Sequence, residues 1–358
     1  MSDSYQIKIN YTQLLDHTGK IHTDCSESIL DKDLLIAFYS MMLRTRVFDQ
    51  KSIKLQRTGK LGTYASSLGQ EAIGTALGKA MLSNDILVPT YRDYAAQFSR
   101  GVAMSEILLY WGGDERGMNY QKSRQDFPIC VPIASQTCHA TGIAYAMKLQ
   151  KKPNVTVCVI GDGATSKGDF YEAMNASGVW QLPIVFLINN NQWAISLPRE
   201  KQTTTKTLAQ KAVAAGISAQ QFDGNDVLAS YQVLSQAIEE TRSGTGPCVL
   251  EALSYRLSDH TTADDAGRYR SEQELKEHWQ YEPISRLKTY LLSNNIITQT
   301  DLDEIQQSCD ALVEQQVEVY LNTRSQQPES MFDYLYESVP TALQQQRNEV
   351  IKKGDDNV

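Results

Sequence analysis

The strand-forming run NVTVCVI (154–160) halts at Gly161-Asp162-Gly163, and a segment of helical spacing follows at once. A second apolar run, IVFLI (184–188), then ends at Asn189-Asn190-Asn191. Strand, helix and strand within about 35 residues make a crossover unit. Such crossovers are right-handed and return the second strand parallel to the first. Both strands therefore end at the same edge of one sheet. Their apolar character is continuous rather than alternating, so each is read as buried on both faces.

Ligands of open parallel sheets bind at this carboxyl edge. Here Asp162 offers a hard anionic oxygen, Asn191 an amide oxygen, and the neighbouring backbone a carbonyl. Magnesium takes about six oxygens, usually including phosphate and water. Gly163 removes side-chain bulk, so a phosphate can approach the backbone, and the following helix aims unpaired N–H groups at the same place. One carboxylate with one amide suits a metal–diphosphate pair, because a second acid would repel the anionic ligand. A nicotinamide site asks for GxGxxG at such a junction. GDGATSKG (161–168) has a different spacing.

The alternation extends along the chain. Helices are predicted over 31–57 with Asp31 as N-cap, and over 69–81, 140–150, 166–180 and 226–243. Strands are predicted over 86–89, 154–160, 184–188 and 248–253, and residues 271–325 read as charged helices. The expected fold is α/β, a parallel sheet flanked by helices on both faces. An N-terminal arm (1–30) precedes the α/β domain with its C-terminal helices (31–325), and a loosely held tail (326–358) follows. A chain of 358 residues, 41% hydrophobic, can bury a sizeable core, and its formal charge of −8 argues against a broad nucleic-acid surface. No apolar run approaches the roughly 18 residues of a membrane helix. The start, MSDSYQIKINYTQLL, has no basic-then-apolar leader, so cytoplasm is the expected location. None of the six cysteines forms a CxxC pair, and reduced, mostly buried thiols are expected.

Gly-Asp-Gly followed at crossover spacing by Asn-Asn resembles the signature of the thiamine-diphosphate-binding fold. Further stretches resemble one family within it, the alpha subunits of the decarboxylating component of 2-oxo acid dehydrogenase complexes. They are LQRTGKLGTYASSLGQEAIG (55–74), VPTYRDYAAQFSRG (88–101), GDGATSKGDFYEAMNASG (161–178), DGNDV (223–227), GPCVLEALSYR (246–256) and HTTADDAGRYR (260–270). The segment REKQTTTKTLAQKAVAAG (199–216) is most similar to the bacterial pyruvate dehydrogenase type.

The resemblance implies oxidative decarboxylation of pyruvate with thiamine diphosphate and Mg2+, and reductive acetyl transfer to a lipoyl group of the acyltransferase component. Branched-chain 2-oxo acids and acetoin are the alternative substrates. It implies Asp162, Asn191 and the backbone carbonyl of Trp193 as metal ligands. Tyr91, Arg92, Gly163 and Ala164 are implied beside the diphosphate, Ile133 beside the aminopyrimidine, and His260 as the active-site loop histidine. An always-charged guanidinium suits phosphate, and a histidine titrates near neutral pH. Arg256, Tyr269 and Arg270 flank that loop. Relatives often carry a second histidine in the stretch matching YWGGDERGMNYQ (110–121), which has none here, and Asp259 stands where some have histidine. Thr261 falls where some carry a phosphorylated serine. His17, His22, His139 and His278 match no family role and are read as structural or solvent-facing. The activating glutamate of this class lies in a second domain type, for which the chain has no room. Glu71 does not match it. A beta subunit is therefore expected, in an alpha2beta2 heterotetramer, with a lipoyl domain as the further partner.

Overall fold

β-Branched and other apolar residues fill the central strands, and the two-residue pleat sends alternate side chains to opposite faces. The computed structural model describes residues 8–22 and 25–355. Its strands are β1 (Tyr11–Thr12), β2 (Ile86–Val88), β3 (Thr156–Gly161), β4 (Ile184–Asn190), β5 (Trp193–Ala194), β6 (Leu197–Pro198), β7 (Ser218–Asp223) and β8 (Cys248–Leu253). Six of them form one sheet in the order β1-β7-β8-β4-β3-β2, with every neighbouring pair parallel. β5 and β6 make a small antiparallel hairpin beyond the end of β4.

The helices are α1 (Lys32–Arg57), α2 (Glu71–Ala80), α3 (Tyr94–Ser99), α4 (Met104–Trp111), α5 (Ser135–Leu149), α6 (Gly168–Val179), α7 (Val227–Arg242), α8 (Glu272–Trp279), α9 (Pro283–Ser293), α10 (Gln299–Leu321), α11 (Ser330–Asp333) and α12 (Thr341–Asp355). Val157, Val159, Val185, Leu187 and Leu250 pack with buried residues of α1, α2, α7 and α9. Cys158, Ile160, Ile184, Phe186 and Ile188 pack on the other side with α5, α6 and the 3-10 turn 209–215. Two cores, one per face, follow from the continuous apolar strands.

Capping fixes where these helices begin. Asp31 accepts from the Leu34 amide at 2.9 Å, as its N-cap assignment requires. Asp226 accepts from the Leu228 and Ala229 amides, and its second oxygen accepts from Leu14 and Leu15. One buried carboxylate thus starts α7 and ties the N-terminal segment to the sheet, beside the β1–β7 pairing. β7 has a polar sequence, SAQQFD, and β1 is only two residues long, so neither stands out by hydrophobic pattern. The tail is helical over α12 and keeps most of its side chains at the surface, and its last residues, 356–358, lie outside the described residues. All six cysteines are free thiols. Cys158, Cys248 and Cys309 are buried, Cys25 and Cys130 half-buried, and Cys138 exposed, so burial is less general than expected. Among the described residues no helix is long and apolar enough to cross a membrane.

Candidate active site

In the β3–β4 register Gly161 lies opposite Asn189. The two loop tips therefore meet at one edge. Asp162 leaves β3 one step beyond the pairing, and Asn191 leaves β4 two steps beyond its partner. A cavity of about 250 Å³ opens between them. Its lining includes Tyr91, Arg92, Ile133, Asp162, Gly163, Ala164, Asn191, Trp193 and His260. Every site residue taken from the sequence faces this single space, although the residues come from five separate stretches of chain.

The segment after β2 fixes Arg92 locally. Asp93 accepts from the amide and hydroxyl of Thr90 at 2.6 and 2.8 Å, closing a turn around Tyr91 and Arg92. The Arg92 guanidinium then donates to the Ser66 carbonyl at 2.6 Å and to the His260 carbonyl at 2.6 Å. It also reaches His260 Nδ1 at 2.9 Å. A guanidinium only donates, so Nδ1 is the acceptor and the ring proton sits on Nε2. Burial, then Arg92 and Arg256, push the His260 pKa down to about 4, against an opposing pull from Asp264. His260 is a neutral imidazole with one N–H to offer.

Arg256 is fully buried and acts as a brace beneath the loop. It donates to the Ile195 carbonyl at 2.8 Å and to Tyr269 Oη at 2.7 Å, and lies 3.4 Å from His260 Nδ1. Arg270 donates to the Arg256 carbonyl. Asp264 accepts from the His260 amide at 2.8 Å and from Tyr269 Oη. The flanking residues expected to order the histidine loop are thus bonded to it. The other four histidines lie outside the cavity lining. His278 stacks on Tyr255 at 3.6 Å, His17 and His139 contact Tyr281 and Phe127, and His22 pairs with Asp16. Glu71 also lies outside it and pairs with Arg46 at 2.5 Å.

Asp162 is almost fully buried, and burial pushes its carboxyl pKa up. The Gln202 amide, donating at 2.7 Å, and the Gly163 amide oppose that shift. A buried carboxylate in this state gains from a cation. Gly163 supplies the room, because a Cβ there would meet the Ala194 Cβ at 2.7 Å. Among the described residues no three His, Cys, Asp or Glu side chains converge as a metal cage. A cation at Asp162 would draw its other oxygens from Asn191, backbone, phosphate and water.

Two glutamines that sequence reasoning missed also line the cavity, each with one polar atom unpaired among the described residues, Nε2 of Gln70 and Oε1 of Gln136. These orphaned atoms, the single carboxylate and Arg92 together fit an anionic ligand with its cation. Strain collects here too. Ala134 and Ile195 line the cavity at φ +65° and +55°, and Gln192, between Asn191 and Trp193, sits at +71°. Non-glycine residues hold such angles at a cost and cluster at functional sites.

The model of the family described as "Dehydrogenase E1 component" matches residues 39–329. The pyruvate dehydrogenase E1 component subunit alpha of Mycoplasma genitalium is 36% identical over 349 residues, covering 98% of this chain and 95% of that protein. The subunit of the same name from Staphylococcus epidermidis is 35% identical over 342 residues, 95% of this chain and 92% of the relative. A 3-methyl-2-oxobutanoate dehydrogenase subunit alpha from Mycobacterium tuberculosis is 36% identical over 321 residues, 90% and 88% of the two chains.

Proposed function

The chain belongs to the dehydrogenase E1 component family, and from that premise we propose that it is the alpha subunit of a cytoplasmic pyruvate dehydrogenase. It takes part in oxidative decarboxylation of pyruvate and in acetyl transfer to a lipoyl group. The observation that carries the site reading is the meeting of Asp162, Asn191, Arg92 and His260 on one cavity. Thiamine diphosphate, when bound, supplies the electron sink for carbon–carbon cleavage.

The residues of this chain divide the remaining work. Asp162, Asn191 and the Trp193 carbonyl would hold Mg2+. Arg92 and Tyr91 would hold the diphosphate, with Gly163 and Ala164 giving it room. Ile133, half exposed at the rim, would meet the aminopyrimidine side. His260 would present its Nε2–H to the reacting region, with Nδ1 pinned by Arg92.

Asp162 is the only carboxylate in the cavity lining among the described residues. It is committed to the cation, so the glutamate that activates the aminopyrimidine must come from elsewhere. This supports a beta subunit completing the site in an alpha2beta2 assembly, which a lipoyl domain then visits. The test is to express the chain with its beta subunit and with none. Decarboxylation is then measured with thiamine diphosphate, magnesium and pyruvate, 2-oxoisovalerate or acetoin. Activity only in the pair, with the highest kcat/KM for pyruvate, is the expected result. Robust activity of the isolated chain would sink the shared-site reading. The Mycobacterium relative, at the same identity, favours branched-chain acids as the second reading. A methylene in an apolar pocket changes discrimination by only about 1–3 kcal/mol.

A further inference from the structure

We propose that Gln70 is a binding residue for the diphosphate, donating a hydrogen bond from Nε2 to a phosphoryl oxygen. The inference rests on the reading of this cavity as a thiamine diphosphate site, and it adds a donor to which the resemblance assigns no role.

Gln70 occupies the N-cap position of α2 but does not cap it, since its side chain makes no bond to the helix amides. It turns into the cavity instead. A relay fixes which way the amide faces. The Ser254 hydroxyl donates to Asn189 Oδ1 at 2.9 Å. That leaves Nδ2 of Asn189 to donate onward, which it does to Gln70 Oε1 at 2.6 Å. The Gln70 oxygen is therefore taken, and its Nε2 is left as a donor with no acceptor among the described residues. Gln70 is only 4% exposed, so water does not readily serve that donor. An unmatched buried donor is costly, and a site that keeps one is shaped for an acceptor that arrives with the ligand.

The acceptor follows from position and charge. Asn189 is paired with Gly161 in the sheet register, so Gln70, bonded to Asn189, lines the same cavity as the Gly161–Ala164 turn. Arg92 and Asp162 line the same cavity, marking the end that takes an anion with its cation. Phosphoryl oxygens are the strong acceptors a thiamine diphosphate brings to that end.

The test uses the assembled alpha–beta enzyme with magnesium present and reads affinity by calorimetry, for thiamine diphosphate and separately for inorganic pyrophosphate. Gln70→Glu keeps the oxygen that receives Asn189 Nδ2 and replaces the free donor with a second carboxylate oxygen. Both dissociation constants are expected to rise roughly 10- to 100-fold, the effect of a hydrogen bond to a charged group. The thermal midpoint of the ligand-free enzyme is expected to fall, because the relay survives but a second carboxylate is buried on the cavity that holds Asp162, so affinity is read on enzyme shown to be assembled. Gln70→Met, close in length, removes the donor together with the oxygen that receives Asn189 Nδ2, and it repeats the affinity comparison, with a lower thermal midpoint expected, if the first variant does not assemble. A parent enzyme that binds both ligands while both variants bind them equally well would overturn the role of Gln70 and leave the site reading standing. A parent that binds neither ligand, or an Asp162→Asn variant that binds as the parent does, would bring down the site reading and the inference with it.

Discussion

Replacing Asp49 with alanine tests whether the active site is preset from behind. Asp49 lies on α1, 2% exposed, and no basic side chain pairs with it among the described residues. It accepts from Tyr64 Oη and the Ser67 amide at 2.8 Å each, from Ser67 Oγ at 3.4 Å, and from Ser66 Oγ. Burial nonetheless pushes its pKa up, so these bonds only partly offset the loss of water. In Asp49→Ala the two serine hydroxyls can rotate to other acceptors, whereas the Tyr64 hydroxyl and the Ser67 amide are left as buried orphans. Each orphan costs about 1–3 kcal/mol. Removing a carboxylate that was costly to bury returns part of that, which leaves a net loss of about 2–4 kcal/mol.

The consequence reaches beyond stability, because residues 64–68 are the shelf on which the site rests. Tyr64 exchanges bonds with Thr262 at 3.0 and 2.8 Å, Leu68 accepts from the Leu257 amide at 3.2 Å, and Ser66 accepts from Arg92. Loosening this shelf frees both Arg92 and the histidine loop. The expected result is a lower urea midpoint at constant m-value, together with weaker thiamine diphosphate binding by the assembled enzyme. A stability loss of the expected size with unchanged cofactor affinity would refute the reasoning, since the shelf would then be structural only.

Gly163→Ala is expected to weaken cofactor binding at least tenfold, because its Cβ meets the Ala194 Cβ at 2.7 Å. Ala194→Gly in the same chain should restore most of the affinity, as read by calorimetry. For His260, a pKa near 4 means that the ring stays neutral across the working range and that kcat/KM carries no inflection from it near pH 6.5. A depressed histidine pKa contributes stability that is fully present above pH 6.5 and lost as the pH falls through about 4. Arg92→Gln should move the His260 titration, followed by NMR of the ring protons, back up towards 6.5. An unmoved titration would break the proposed coupling.

The crossover was legible because it depends on short-range chemistry. Apolar runs of strand length, a Gly-Asp-Gly stop and a helical interval fix β3, α6 and β4 with little help from the rest of the chain. Asp162 and Asn191 follow, since parallel strands have nowhere else to put their ends. β7 was not legible, because a polar strand between two neighbours is held by backbone pairing, which leaves no hydrophobic period. Asp49 was hidden for a related reason. On a helix that alternates apolar and charged residues, one aspartate looks like a solvated face until the chain brings Tyr64, Ser66 and Ser67 over it.

Gln70 shows where sequence reading stops. A glutamine has a donor and an acceptor on one rigid amide, and its letter does not say which faces the ligand. That choice is made by Asn189, 119 residues away in the chain, and behind it by Ser254, 65 residues further on. The motif names groups whose charge alone suits a cation or a phosphate, such as Asp162 and Arg92. A neutral amide becomes specific only when a relay orients it, and that orientation belongs to the folded sheet edge. Among the described residues the same edge leaves one carboxylate and no glutamate facing the cavity. Such an edge suits the anionic end of a cofactor, and the proposal that a beta subunit supplies the base for the reactive end follows from it.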